Sequence, residues 1–127
     1  MIAYPRAGRE KPLHWVGSAK RDLMTFTEEA IDDLGYALGL VQQGGVPPSA
    51  KPWKGEGPGV LELIEDHRGG TFRVVYTVRF NDAVYVLHCF QKKSPSGLRT
   101  ARTDVETIHR RLMAARADYE VRYGKKT

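Results

Sequence analysis

Apolar residues recur at Ile31, Leu34, Leu38 and Val41, the spacing of one face of a helix. Thr27 stands in position to cap it, and Glu28 and Glu29 sit in the first turn, where the helix dipole favours negative charge. Gly44-Gly45 ends it. From residue 60 the pattern changes to that of strands, predicted over Val60 to Asp66, Phe72 to Phe80 and Ala83 to Gln91. Arg68-Gly69-Gly70-Thr71 and Asn81-Asp82 read as the tight turns between them. A helical period returns from Arg102 to Arg122, with Val105, Ile108, Leu112, Ala115 and Tyr119 as an apolar seam and Arg102, His109 and Arg116 on another face. Thr103 and Glu106 have capping-box spacing. Upstream, residues 1–12 form a loose polar arm, Leu13-His14-Trp15-Val16 a short strand, and Ser18 to Thr25 a short capped helix. Pro47-Pro48 and Pro52 mark a loop running to Pro58. The expectation is one α+β domain over residues 1–127, its helices on one side of a mainly antiparallel sheet.

Strand alternation turns this pattern into faces. With two-residue turns at Gly69-Gly70 and Asn81-Asp82, Phe72, Val74, Tyr76, Val78, Phe80, Leu87 and Cys89 form the core face. Glu62, Asp66, Arg73, His88 and Phe90 share the other face, with Thr77 and Arg79 farther off. Arg73 and His88 are therefore expected side by side on a surface that no helix covers.

Composition narrows the setting. The chain is 41% hydrophobic with two Trp, six Tyr and four Phe, as a folded domain requires. Its single cysteine, Cys89, excludes an internal disulfide. No signal-like or membrane-length apolar run occurs, so a cytoplasmic location is expected. The net charge of +5 is uneven: residues 1–91 hold ten Lys/Arg against eleven Asp/Glu, and residues 92–127 hold ten against four. A net of −1 followed by +6 suits a polyanionic or acidic partner.

The strand Tyr85-Val86-Leu87-His88-Cys89-Phe90-Gln91 delivers an imidazole and then Lys92 and Lys93 to one end of the sheet. RNA cleavage by its own 2′-hydroxyl needs a base, an acid for the departing 5′-oxygen, and cations around the crowded phosphorane. An imidazole, with an ordinary pKa near 6.5, serves as acid or base. Arg73 can grip two phosphate oxygens, Lys92 adds charge, and Glu62 is either the base or an orienting partner for Arg73. Phe90 and Trp53 are candidate base-stacking rings, and Lys51, Lys54, Lys93 and Arg99 candidate phosphate contacts. Each has a plain structural alternative: a strand histidine bonded to backbone, an Arg73–Asp66 ion pair, packed aromatics and solvated lysines. His14, His67 and His109 show no metal-ligand spacing, and one cysteine argues against zinc, so no metal or other cofactor is expected. Phosphate-loop, dinucleotide and nucleophile-elbow motifs are absent.

The segments Val41-Gln42-Gln43-Gly44, Ala50-Lys51-Pro52, Gly59-Val60-Leu61-Glu62, Phe72-Arg73-Val74-Val75-Tyr76, Val86 to Ser94, Gly97-Leu98-Arg99-Thr100, and Arg111-Leu112 with Ala115 occur in an informative order. In that order the chain resembles the RelE/HigB-like toxins of type II toxin–antitoxin systems, in their phage-related branch, over roughly residues 12–120. The resemblance implies two N-terminal helices on a small curved antiparallel sheet with a C-terminal helix. It implies a metal-independent endoribonuclease that cuts mRNA on the ribosome, and a cognate helix-turn-helix antitoxin. Its strand arginine falls on Arg73, its basic pair on Lys92 and Lys93, and its basic loop on Lys51 and Lys54. The chain departs from the pattern at Ala101, where a proline is common, and at Leu63-Ile64, where relatives place an arginine after the strand glutamate. The rival readings are a non-catalytic phage-derived module that binds nucleic acid or protein, and an RNase that needs no ribosome.

Overall fold

The computed structural model describes residues 10–92 and 101–124. Residues 1–9 of the arm expected over 1–12, and the turn Ser94-Pro95-Ser96-Gly97, lie outside the described residues. In chain order the elements are β1 (Leu13–Trp15), α1 (Ala19–Leu23), α2 (Glu28–Gln42), β2 (Ala50–Pro52), β3 (Val60–His67), β4 (Gly70–Thr77), β5 (Val84–Lys92) and α3 (Arg102–Tyr123). The five strands form one sheet in the order β1-β5-β4-β3-β2. β1 runs parallel to β5, and every other pairing is antiparallel. Among the described residues, no helix is long and apolar enough to cross a membrane.

Local signals explain most boundaries. The Thr27 side chain caps α2 by accepting from the Ala30 N–H at 3.2 Å. The β3–β4 hairpin turns on Arg68-Gly69, with His67 opposite Gly70; Gly69 has φ +100°, which a side chain would strain. The expected capping box at Thr103 and Glu106 does not form. Ala101 is the cap residue, and Glu106 accepts from Arg102 instead. The proline-marked loop contains a strand, β2, at the sheet edge, where Pro52 removes a donor no neighbour needs.

Two expectations are corrected. The helices do not share one side of the sheet. α1 and α2 pack with Leu63, Phe72, Val74, Tyr76, Val84, Val86 and Cys89 on one face. On the opposite face, Ile108, Leu112 and Ala115 of α3 pack with Trp53, Val60, Val75, Phe80, Tyr85, Leu87 and Phe90. The face expected to be open is thus roofed by α3. Leu87 and Phe80 also belong to this second core, not the first. Phe80 lies past the end of β4, in the connection to β5; for Leu87 the reason is a register shift between Val75 and Tyr76, since Tyr76 lies opposite Val86 and Val75 opposite His88, which leaves Leu87 as the extra residue of a β-bulge. Leu87 and His88 consequently both address the α3 side.

Candidate active site on the face beneath α3

Cross-strand register lines up three rows on this face. One row runs Lys51, Glu62, Val75, His88; the next Ile64, Arg73, Phe90; the third Asp66, Thr71, Lys92. At its centre the Arg73 Nη1 donates to Glu62 Oε1 at 3.0 Å. Both side chains are largely buried, 19% and 12% exposed. Arg73 Nε is shielded and has no hydrogen-bond partner. Asp66 is not the partner of Arg73; it accepts from Thr71 Oγ1 at 2.7 Å. Burial and the Arg73 charge pull the Lys92 ammonium below the usual lysine range, while Glu62 and Asp104 act the other way. Lys92 therefore shares this electrostatic site with Arg73, Glu62 and Asp104.

His88 is more constrained than its sequence position implies. Its Nε2 lies 2.7 Å from Asp104 Oδ1, in the first turn of α3. Its Nδ1 faces Arg111 Nη1 at 3.5 Å. With the arginine as donor, Nδ1 accepts, and the Nε2–H donates a hydrogen bond to Asp104 Oδ1. Arg111 is itself anchored by the Leu87 carbonyl at 3.0 Å and Ser18 Oγ at 3.0 Å. Both imidazole nitrogens are thus engaged by α3, and Phe90 stacks on the ring at 5.0 Å.

The aromatic expectations are corrected here. Trp53 is 8% exposed and Phe90 9%, both within the second core, so neither ring stands out for a base to stack on. Lys51 and Lys54 are exposed on and beside β2. Lys93 and Arg99 lie outside the described residues. The basic excess of residues 92–127 is not concentrated on α3, whose five arginines face four acids. Two of those arginines, Arg102 and Arg122, form i,i+4 pairs with Glu106 and Asp118. Sequence reading missed Asp104 and Arg111, because neither stands at a distinctive spacing from His88.

The far end of α3 closes on β1. His14 Nε2 is 2.8 Å from the Tyr123 hydroxyl, and the Tyr85 hydroxyl donates to Asp118 at 2.6 Å. Burial pushes the Tyr85 hydroxyl above its ordinary range, and that hydrogen bond holds Asp118 low. His14, Tyr85, Asp118 and Arg122 line a cavity of about 460 Å³ that does not include the Glu62–Arg73 pair.

A protein-family model described as "Phage derived protein Gp49-like (DUF891)" matches residues 21–113. No curated protein sequence matches the chain at a significant level. Among solved structures, a chain from the toxin–antitoxin complex RelBE2 of Mycobacterium tuberculosis is similar at 16% identity and a TM-score of 0.47. That match spans 68% of this chain and 97% of the other. With the family match covering most of its length, the chain belongs to the phage-derived Gp49-like family.

Proposed function

We propose that this protein is a RelE/HigB-like toxin, an endoribonuclease that cleaves mRNA on the ribosome, and that a cognate helix-turn-helix antitoxin neutralises it. The observation that carries the reading is the convergence of Glu62, Arg73 and Lys92 on one sheet face, with the Arg73–Glu62 bond at its centre. The Arg73 and Glu62 side chains keep 19% and 12% exposure, and that accessible part is what a phosphate would meet.

In this reading Glu62 takes the proton from a ribose 2′-hydroxyl, and the 2′-oxygen attacks phosphorus. Arg73 stabilises the charge on the non-bridging oxygens. The bond to the 5′-oxygen breaks, and Lys92, acidified by burial and by Arg73, protonates that oxygen. The products are a 2′,3′-cyclic phosphate and a 5′-hydroxyl. His88 contributes by holding Asp104, and with it the first turn of α3, beside the site. Lys51 and Lys54 extend the cationic edge along the RNA, giving binding that weakens steeply with salt.

The non-catalytic module remains the rival, and one observation favours it: both ring nitrogens of His88 are occupied, so the imidazole offers no free atom to substrate. Primer extension on mRNA isolated after induction separates the two. Discrete cut sites that vanish in Lys92→Met are the expected result. No cut sites at any induction level, with partner binding intact, would favour the module.

A further inference from the structure

On the opposite face, α2 and β3 each present two oxygen or nitrogen donors at a metal-compatible spacing. Glu29 and Asp33 are four residues apart on α2, and Glu65 and His67 two apart on β3, so each pair points the same way. The pairs meet. His67 Nε2 lies 3.2 Å from Asp33 Oδ2 and 3.9 Å from Glu65 Oε1, and its Nδ1 3.8 Å from Glu29 Oε1. One donor atom from each of Asp33, Glu65 and His67 lies within 4.8 Å of the others. Tetrahedral donors bonded to one cation at about 2.0–2.2 Å sit about 3.4 Å apart, so the Asp33–His67 separation of 3.2 Å already fits and the Glu65 carboxylate, at 3.9 Å from His67, would swing inward.

A second observation comes from the imidazole. His67 Nε2 is shielded from solvent and makes no hydrogen bond, despite the carboxylate 3.2 Å away. A shielded nitrogen left without a hydrogen bond is unfavourable, and a metal bond at its lone pair would satisfy it. Charge points the same way. Three carboxylates surround one imidazole, and a divalent cation balances that set better than a single proton on the ring.

We propose that Asp33, Glu65 and His67 bind a first-row divalent cation, with Zn²⁺ as the best match to one nitrogen and two carboxylate oxygens. The ion would pin the middle of α2 to the end of β3. The site is independent of the proposed nuclease chemistry, since it lies on the α2 side of the sheet and shares no residue with it. It escaped the sequence because its ligands come from two segments, about thirty positions apart, whereas metal motifs are read along one.

Isothermal titration of ZnCl₂ into chelator-stripped full-length protein tests this. One saturable event is expected, weakened about tenfold or more by His67→Gln and by Asp33→Asn, and unchanged by His109→Ala. Asp33 is half exposed, so Asp33→Asn keeps the test valid should His67→Gln fail to fold. No saturable binding, or wild-type affinity in Asp33→Asn and in any folded His67→Gln, overturns the site.

Discussion

Replacing Arg73 tests the site most directly, because the structure separates its structural role from its chemical one. Arg73 and Glu62 are 19% and 12% exposed and bonded at 3.0 Å. Arg73→Ala leaves the Glu62 carboxylate largely buried without its cation, which typically costs about 3–5 kcal/mol. With an unfolding entropy of about 2.1 cal/mol/K per residue, 127 residues give about 0.27 kcal/mol/K. The melting temperature should therefore fall by about 11–19 °C. Adding Glu62→Gln removes the stranded charge, and the double variant should recover more than half of that loss. Arg73→Lys keeps a cation but loses the planar fork. It should melt within about 4 °C of the wild type while cleavage falls about 100-fold, the scale of one lost transition-state donor. Thermal melts followed by circular dichroism, paired with primer extension at matched folded protein, read both effects. A melting point for Arg73→Ala within about 2 °C of wild type would mean that water, not Arg73, balances the Glu62 charge. Full cleavage by Arg73→Lys would refute the phosphate grip.

Thr77 is fully buried, accepts from the Arg79 N–H at 3.1 Å and donates to the Gly59 carbonyl at 2.8 Å. Gly59 keeps a second donor in the Val78 N–H, so Thr77→Val strands chiefly the Arg79 amide; urea melts should show a loss of about 1–3 kcal/mol. Burial pushes the Cys89 thiol up from 9.0 to about 12. Because the folded protein retains that proton where the unfolded chain releases it, stability is intact below about pH 9 and falls as pH rises toward 12. Cys89→Ala should flatten the decline between about pH 9 and pH 10 in urea melts, and an unchanged slope would exclude the thiol. Native Cys89 should also resist alkylation at neutral pH, reacting only on unfolding. Gly17 has φ +57°, and an added Cβ would sit 2.9 Å from Arg111 Nε. Gly17→Ala should therefore destabilise by about 1 kcal/mol or more and displace Arg111 from Ser18 and the Leu87 carbonyl; a melt equal to wild type would show that the guanidinium yields freely.

The elements were legible where period and punctuation agree. α2 has its cap, its acidic first turn and its apolar stripe within one segment, and the β3–β4 hairpin has its glycine turn. The α3 seam was legible too, but not its destination. The signal for that lay in β5, whose run Val84-Tyr85-Val86-Leu87 contains no polar residue. A strand without alternation is one covered on both faces. Reading β5 by strict alternation assigned one face to solvent, and the α3 seam was then left without a matching surface. β2 was hidden by its proline, Pro52, which an edge strand tolerates and a central one does not.

For the site, two departures from the expected geometry offset each other. Residues 78–83 form a longer connection than a two-residue turn, and near that end Thr77 pairs with Tyr85, one place away from the tight-hairpin register. The bulge at Leu87 inserts one residue and shifts the register back, so Arg73 faces Phe90 as a tight Asn81-Asp82 hairpin would have placed it. Parity between Glu62 and Arg73 survives because the β3–β4 turn, though at Arg68-Gly69, still has two residues. The grouping of Glu62, Arg73, His88 and Lys92 on one face thus depends on the bulge. The same bulge exposes the Leu87 carbonyl to Arg111 and turns His88 toward Asp104. One inserted residue both restores the register of the proposed site and supplies the attachment for α3, which couples the roof of the site to the alignment of its floor.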